Sequence, residues 1–223
     1  GAESVPEPML KDWQQRGILQ QEVYGMTETA GVICMAQKAD LPEHMGYAGR
    51  ALPYGELKVM TSETQEATSG ELGEIWMRGA SVTPGYWNRP DATEETFVGD
   101  WLKSGDIGRK DETGRLSVED RIKDMYISGG ENVYPAEIES ILMAHPDIRE
   151  VAVIGVPDSK WGEVGCAVIA SLSGEAVSLD SVHALCERTL ARFKWPQQVI
   201  HTEVLPRNST GKVQKFLLRQ AHS

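Results

Sequence analysis

Two unbroken apolar runs constrain this chain more than any other feature: VAVIGV at 151–156 and VGCAVIAS at 164–171. A strand with one wetted face alternates apolar and polar residues, whereas these runs have almost no polar position to turn to water. Their length and turn-rich flanks predict buried strands. YPAEIESILMAHP reads as a helix that begins near Pro135 and stops before Pro146. SLDSVHALCERTLARF predicts an amphipathic helix with Leu179, Val182, Leu185, Cys186 and Leu190 on or near one face. QVIHTEVL predicts a third strand and VQKFLLRQ a closing helix. The expected result is a compact α+β module over residues 126–223.

Upstream the texture differs. From about 48 to 120, glycine, proline and threonine punctuate short alternating runs such as ELKVM, GELGEIWMRG and GRLSVED, which predicts a β-rich subdomain. RPDATEETF interrupts it as one short helix, with Asp91 expected as N-cap and Glu94 placed for a capping box. PEPMLKDWQQRG (6–17) predicts a helix with proline at its start and Gly17 as its stop. ILQQEVYG and TAGVICMA each predict a strand. The boundary is expected near EDRIKDM (119–125), giving a first domain at 1–120, a hinge at 121–125 and a small second domain at 126–223.

Charge excludes one function class. With 22 basic against 33 acidic residues the formal net charge is −11, the wrong sign for a general phosphate-backbone binder, so no nucleic-acid partner is expected. A small anionic ligand held by a few local groups remains open. Cys34, Cys166 and Cys186 lie far apart among apolar neighbours, which predicts neither a zinc site nor a disulfide framework and suits a reducing, cytoplasmic setting. No apolar run approaches the roughly 18–20 residues that span a bilayer, and no basic-then-apolar leader is visible. The histidines at 44, 145, 183, 201 and 222 do not cluster.

Five short segments hold the chemistry: VYGMTE (23–28), KSGDIG (103–108), DRIKD (120–124), ISGGENVYP (127–135) and PRNSTGK (206–212). Each alone has a plain reading as a strand end, a turn, a solvated charge run, a glycine-rich connection or a loop. In this order, with GELGEIWMRGASVTPGYWNRPDATEETF between the first two, they resemble the C-terminal portion of the adenylate-forming superfamily, and within it the acyl-CoA synthetase branch. The resemblance covers nearly all 223 residues.

That resemblance implies a two-step reaction. A carboxylic acid, expected to be a fatty acid, attacks the α-phosphorus of ATP to give acyl-adenylate and pyrophosphate; CoA then takes the acyl group. The first step brings two anions together and needs cations and donors aimed at the growing charge. Lys212, on a Gly-Lys loop, is implied as that cation. Thr27 would donate to the α-phosphate, and Glu28 would be a Mg²⁺ ligand, since Mg²⁺ is usually held by one or two carboxylates plus phosphates. Tyr24 would offer its ring to adenine, with Gly25 beside it in the same motif. Asp106, an acceptor through both oxygens, would take the ribose hydroxyls. Arg121, a permanently charged fork, would bond ribose or phosphate oxygens, and Lys123 matches the pivot. Ser128, Gly129, Gly130 and Glu131 would form the face for CoA, where glycines admit the pantetheine arm.

Family members carry, before these segments, a Ser/Thr/Gly-rich loop that wraps the ATP phosphates. None occurs here, and Gly1–Ala2 matches one wall of the adenine pocket. The chain is therefore expected to be the end of the large domain plus the whole small one, and by itself inactive in adenylation. Two alternatives stand beside a fatty-acid ligase: an aryl-acid CoA ligase of the same family, and a non-catalytic module that binds adenylate, CoA or a partner protein.

Overall fold

The computed structural model describes residues 7–41 and 43–222; Gly1–Ala2, read above as part of an adenine pocket, lies outside them. The chain divides into two compact units, Met9–Ile122 and Lys123–Ser223.

The first unit opens with helix α1 (Glu7–Gln15), closed by Gly17 at φ +77°. Strands β1 (Val23–Met26), β2 (Gly31–Met35) and β3 (Arg50–Ala51) form an antiparallel sheet in that order. The strand expected over ILQQEVYG is shorter than predicted and starts only at Val23. A second sheet holds β4 (Gly55–Ser62), β5 (Gln65–Glu66), β6 (Gly73–Gly79), β7 (Phe97–Val98), β8 (Trp101–Lys110) and β9 (Leu116–Arg121), in the order β5-β4-β6-β8-β7 with β9 also on β8. Ile33 and Cys34 of β2 share one core with Val59, Ile75, Met77, Leu102 and Leu116 of the second sheet. Helix α2 (Pro90–Thr96) starts two residues earlier than the sequence suggested: Arg89 is its N-cap and Pro90 its first residue, the position where a missing N–H and a fixed φ do no harm. Asp91 instead pairs with Arg89 at 3.0 and 2.9 Å.

The second unit contains β10 (Tyr126–Ser128), β11 (Glu131–Val133), α3 (Pro135–Leu142), β12 (Ile148–Asp158), β13 (Gly162–Ser171), α4 (Leu179–Cys186), β14 (Gln198–His201) and α5 (Lys215–His222). Its sheet runs β11-β10-β13-β12, with β14 parallel to β13. Both faces are covered, which explains the unbroken apolar runs. Val153, Ala167 and Ile169 pack with Ile138 and Leu142 of α3 and Val182 and Cys186 of α4. Ala152, Ile154, Val156, Cys166 and Val168 pack with Leu205 and Leu218 of α5. The edge of β12 is closed by Glu139, whose Oε1 accepts the Val153 N–H at 2.6 Å and lies 2.7 Å from Lys215 Nζ.

α4 is half the length the pattern predicts. Leu190 still reaches the core, but through a tight turn in which its N–H, like that of Thr189, bonds Cys186 O, and the Trp195 indole N–H caps Leu190 O at 3.0 Å. The three cysteines are free and buried. Burial pushes the thiol of Cys34 up to about 12 and those of Cys166 and Cys186 up to about 11.

Candidate active site

The first unit brings Tyr24, Asp106 and Arg121 together. Antiparallel pairing of β8 with β9 sets Asp106 opposite Arg121, and Arg121 Nε lies 3.4 Å from Asp106 Oδ1. From the other sheet, Tyr24 on β1 donates its phenol hydrogen to Asp106 Oδ2 at 2.8 Å. Burial first, and the charge of Asp106 second, raise the phenol pKa well above the tyrosine range, so Tyr24 remains a donor at neutral pH. The Asp106 side chain is 15% exposed against 44% for Arg121. A recessed carboxylate behind an open guanidinium can take a diol with one group and an anion with the other.

The TET triplet divides into exposed and buried threonines. It forms a 3₁₀ turn, Thr27–Thr29. Thr29 is fully buried; its Oγ1 accepts the Met26 N–H at 3.0 Å and donates to Gly31 O at 2.7 Å. It builds the turn. Thr27 is exposed, so its hydroxyl is available to a ligand. Glu28 is half-buried; its Oε1 accepts the Tyr86 hydroxyl at 2.8 Å, and its backbone oxygen accepts the Thr83 N–H at 2.7 Å. Gly25 has a packing reason of its own: a Cβ there would fall 1.8 Å from Gly31 O across the β1–β2 pair. Among the described residues, no three His, Cys, Asp or Glu side chains converge to hold a metal ion. A single carboxylate such as Glu28 suits a magnesium ion only where phosphates and water would supply its other ligands.

In the second unit, Ser128 and Glu131 pair across a two-residue hairpin whose corner is Gly129 and Gly130, at φ +61° and +89°. Two positive φ values in succession define the turn that suits the twist of a hairpin, and glycine supplies them without strain. The Gly129 N–H donates to Trp161 O at 2.9 Å, and a Cβ on Gly129 would meet the Trp161 ring at 3.0 Å; around Gly130 there is open space. Ser128 is buried, and Glu131 is exposed, as is Lys123 at the start of the unit. Glu163 is structural: its carboxylate accepts the Ile127 N–H at 3.1 Å.

Lys212 lies on a loop organised by Asn208. The Asn208 Oδ1 accepts from Thr210 N, Thr210 Oγ1 and Lys212 N at 3.0, 2.8 and 2.9 Å. Arg207 anchors the loop, with Nη1 on Gly211 O and Nη2 3.1 Å from Glu150 at the start of β12. Sequence reasoning singled out the lysine and named neither the asparagine nor Tyr86 beside Glu28. The signals were present as Asn-x-Thr in PRNSTGK and as the Gly-Tyr turn of TPGYW.

Two family models match the chain: AMP-binding enzyme over residues 1–87 and AMP-binding enzyme C-terminal domain over residues 137–212. The chain is 41% identical over its whole length to a long-chain-fatty-acid–CoA ligase of Mycobacterium tuberculosis, covering 44% of that protein. It is 40% identical to an indoleacetate–CoA ligase of Aromatoleum aromaticum over 99% of the chain and 43% of the relative. Among solved structures, o-succinylbenzoate CoA synthetase of Bacillus subtilis in complex with its acyl-adenylate intermediate superposes with a TM-score of 0.92 at 37% identity, covering 98% of this chain and 45% of that one. The same synthetase has been solved with ATP and a magnesium ion. The chain belongs to the adenylate-forming superfamily of AMP-binding enzymes, on its acyl-CoA ligase branch. It spans under half the length of the curated relatives it matches.

Proposed function

We propose that the protein to which these residues belong is an ATP-dependent acid–CoA ligase, forming an acyl-adenylate and then an acyl-CoA. The observation that carries this reading is the two-ended second unit. The Lys212 loop is tied through Arg207 to Glu150, near the start of β12. The Gly129–Gly130 hairpin is tied through Ser128 and Trp161 to the far end, where Asp158 faces Gly162. From Glu150 to Asp158 a strand spans roughly 26 Å at about 3.3 Å per residue. One module thus presents a lysine with no ion-pair partner among the described residues at one end and a glycine corner at the other, as two successive reactions at one centre require.

The roles follow from the chemistry. Tyr24 lays its ring against the base, and Asp106 accepts the ribose hydroxyls. Arg121 bonds ribose or phosphate oxygens. Thr27 donates to the α-phosphate, and Lys212 supplies positive charge as the carboxylate attacks. Glu28, with the nucleotide's own phosphates, would hold a magnesium ion, which would supply positive charge for the leaving pyrophosphate. In the second step Lys212 is withdrawn about the pivot at Lys123, and Ser128, Gly129, Gly130 and Glu131 line the approach of the CoA thiol. Relatives of nearly equal identity act by name on a long-chain fatty acid, on indoleacetate and on 2-succinylbenzoate. We take a fatty acid as substrate and an aryl acid as the second reading. Three buried thiols suit the cytoplasm, and among the described residues no helix is long and apolar enough to cross a membrane.

The test measures each half-reaction separately in a protein of the relatives' full length that carries this chain. Lys212→Ala should lose acyl-adenylate formation and keep thioester formation from pre-made acyl-adenylate. Gly130→Val, which strains the hairpin corner, should do the reverse. Equal damage to both steps by both variants would refute the two-ended mechanism. A panel of fatty and aryl acids in the same assay assigns the substrate class. Nucleotide or CoA binding without turnover of any acid would leave the binding-module reading in its place.

A further inference from the structure

Asp106 lies in a break of the sheet. Along β6 and β8 the register pairs Gly73 with Gly108 and Glu74 with Ile107, then jumps to Trp76 with Lys103. Two residues of advance on β6 are matched by four on β8, so Ser104, Gly105 and Asp106 face a single residue, Ile75. Such a bulge bends its strand and re-aims a side chain. It also takes an N–H out of the ladder, and a half-buried N–H without a partner costs free energy.

Glu74 fills that gap. Its Oε1 accepts the Gly105 N–H at 3.0 Å. Its Oε2 accepts the indole N–H of buried Trp76, also at 3.0 Å. On the other side of the bulge, Gly105 O accepts the Ile122 N–H at 2.9 Å. Gly105 is thereby held from both edges at φ +72°, a conformation that favours glycine. The next residue is Asp106, with Tyr24 and Arg121 on its two oxygens.

We propose that Glu74 is the positioning residue of the nucleotide site: clamped by Trp76, it fixes the Gly105 bulge and so aims Asp106 at the ribose. Both Glu74 oxygens are taken by N–H donors of the protein. Within the bulge, Ser104 Oγ also accepts the Asp106 N–H at 3.0 Å; the consequence for ribose rests on the function proposed above.

The decisive variants are Glu74→Gln and the double variant Trp76→Phe with Glu74→Gln. A glutamine keeps an oxygen at only one of the two positions that the Glu74 oxygens fill. The indole N–H of Trp76, buried away from water, holds that oxygen, and the Gly105 N–H is left facing the NH₂. Removing the indole frees the glutamine oxygen for Gly105, so the double variant should recover what the single variant lost. Amide hydrogen exchange by NMR reads the bulge. The Gly105 amide should exchange at least tenfold faster in Glu74→Gln and return to near the parent rate in the double variant. Binding of AMP and of 2′,3′-dideoxy-AMP to a protein of the relatives' full length that carries this chain reads the ribose. Glu74→Gln should weaken AMP about tenfold, leave the dideoxy nucleotide unchanged, and be rescued in the double variant.

Release of the Gly105 amide with the Tyr24–Asp106 hydrogen bond and the ribose preference both intact would overturn the proposal. So would a single variant that the double one does not rescue. If Asp106→Asn in the parent leaves AMP and its dideoxy form bound alike, the ribose reading of Asp106 fails. The Tyr24 hydroxyl resonance in Glu74→Gln then decides the positioning role alone: its loss supports that role and its persistence refutes it.

Discussion

Tyr24 and Asp106 stand 82 residues apart in the chain and meet through a 2.8 Å hydrogen bond that links the unit's two sheets. The aromatic ring expected to serve a base and the carboxylate expected to serve a sugar thus orient each other before any ligand arrives. Tyr24→Phe keeps the ring and deletes the donor. It should cost about 1–2 kcal/mol of stability, within the range for a hydrogen bond to a charged or half-buried acceptor. Urea denaturation of the parent and the variant checks this. An unchanged midpoint would mean that the bond contributes nothing net.

The hydrogen bond from Tyr86 to Glu28 gives a second expectation. Thr83 N–H fixes the backbone of Glu28, and Tyr86 fixes one carboxylate oxygen. The turn that carries Tyr86 is itself held, since the Tyr86 N–H donates to Thr93 Oγ1 at 2.9 Å. Groups that orient a metal ligand typically contribute 10–100-fold to metal affinity. Tyr86→Phe should therefore weaken the magnesium dependence of ATP binding about tenfold while leaving magnesium-free AMP binding unchanged. Titrating nucleotide with and without the metal separates the two. Equal loss for both nucleotides would make Tyr86 a packing residue.

The sequence was most legible where one physical cause acts alone. Residues 151–156 and 164–171 read as strands because burial on both faces leaves no polar position. Pro135 marked the start of α3 because proline suits only the first turn. It was least legible where a distant partner decides. The α4 pattern continues to Leu190, but Trp195 and the turn after Cys186 bury that leucine without a helix. Asp106 and Arg121 were readable as chemistry from their segments. That a β-bulge, plugged by Glu74, sets the direction of Asp106 was not readable, because register is a property of paired strands and not of either one.

The β8–β9 register that pairs Asp106 with Arg121 begins at a turn built on Asp111. Burial would raise its pKa, but the Arg115 N–H at 2.9 Å, the Arg115 guanidinium at 2.6 Å and the Thr113 hydroxyl and N–H at 2.8 and 2.9 Å outweigh it and hold the carboxyl well below the usual range. A depressed folded pKa means that the unfolded chain binds more protons in the acid window. The stabilisation is present above the unfolded value of about 3.9 and fades as pH falls below it. Asp111→Asn should cost about 1–3 kcal/mol at pH 7, and the gap between parent and variant should narrow progressively as pH falls below about 4. Melting temperatures from pH 2.5 to 7.5 test this; a constant gap would show that charge plays no part.

The loop of Lys212 separates charge from placement. The ammonium of Lys212 has no hydrogen-bond or ion-pair partner among the described residues, while its backbone N–H is held by Asn208. Lys212→Ala should leave the stability of the chain within about 0.5 kcal/mol, as surface substitutions usually do. In the full-length protein it should slow acyl-adenylate formation about 10²–10³-fold, the usual loss for one preorganised charge-stabilising donor. Asn208→Ala keeps the cation and releases three donors at once. It should lower stability by about 1–2 kcal/mol and slow the same half-reaction by a smaller factor, on the order of tenfold, because a mobile lysine spends less time where the charge grows. Asn208→Asp retains an acceptor at the same place and should restore most of the stability. The order of rates should be parent, Asn208→Asp, Asn208→Ala, Lys212→Ala. If Asn208→Ala unfolds no more easily than the parent yet equals Lys212→Ala in rate, the asparagine acts on substrate directly and not through the loop.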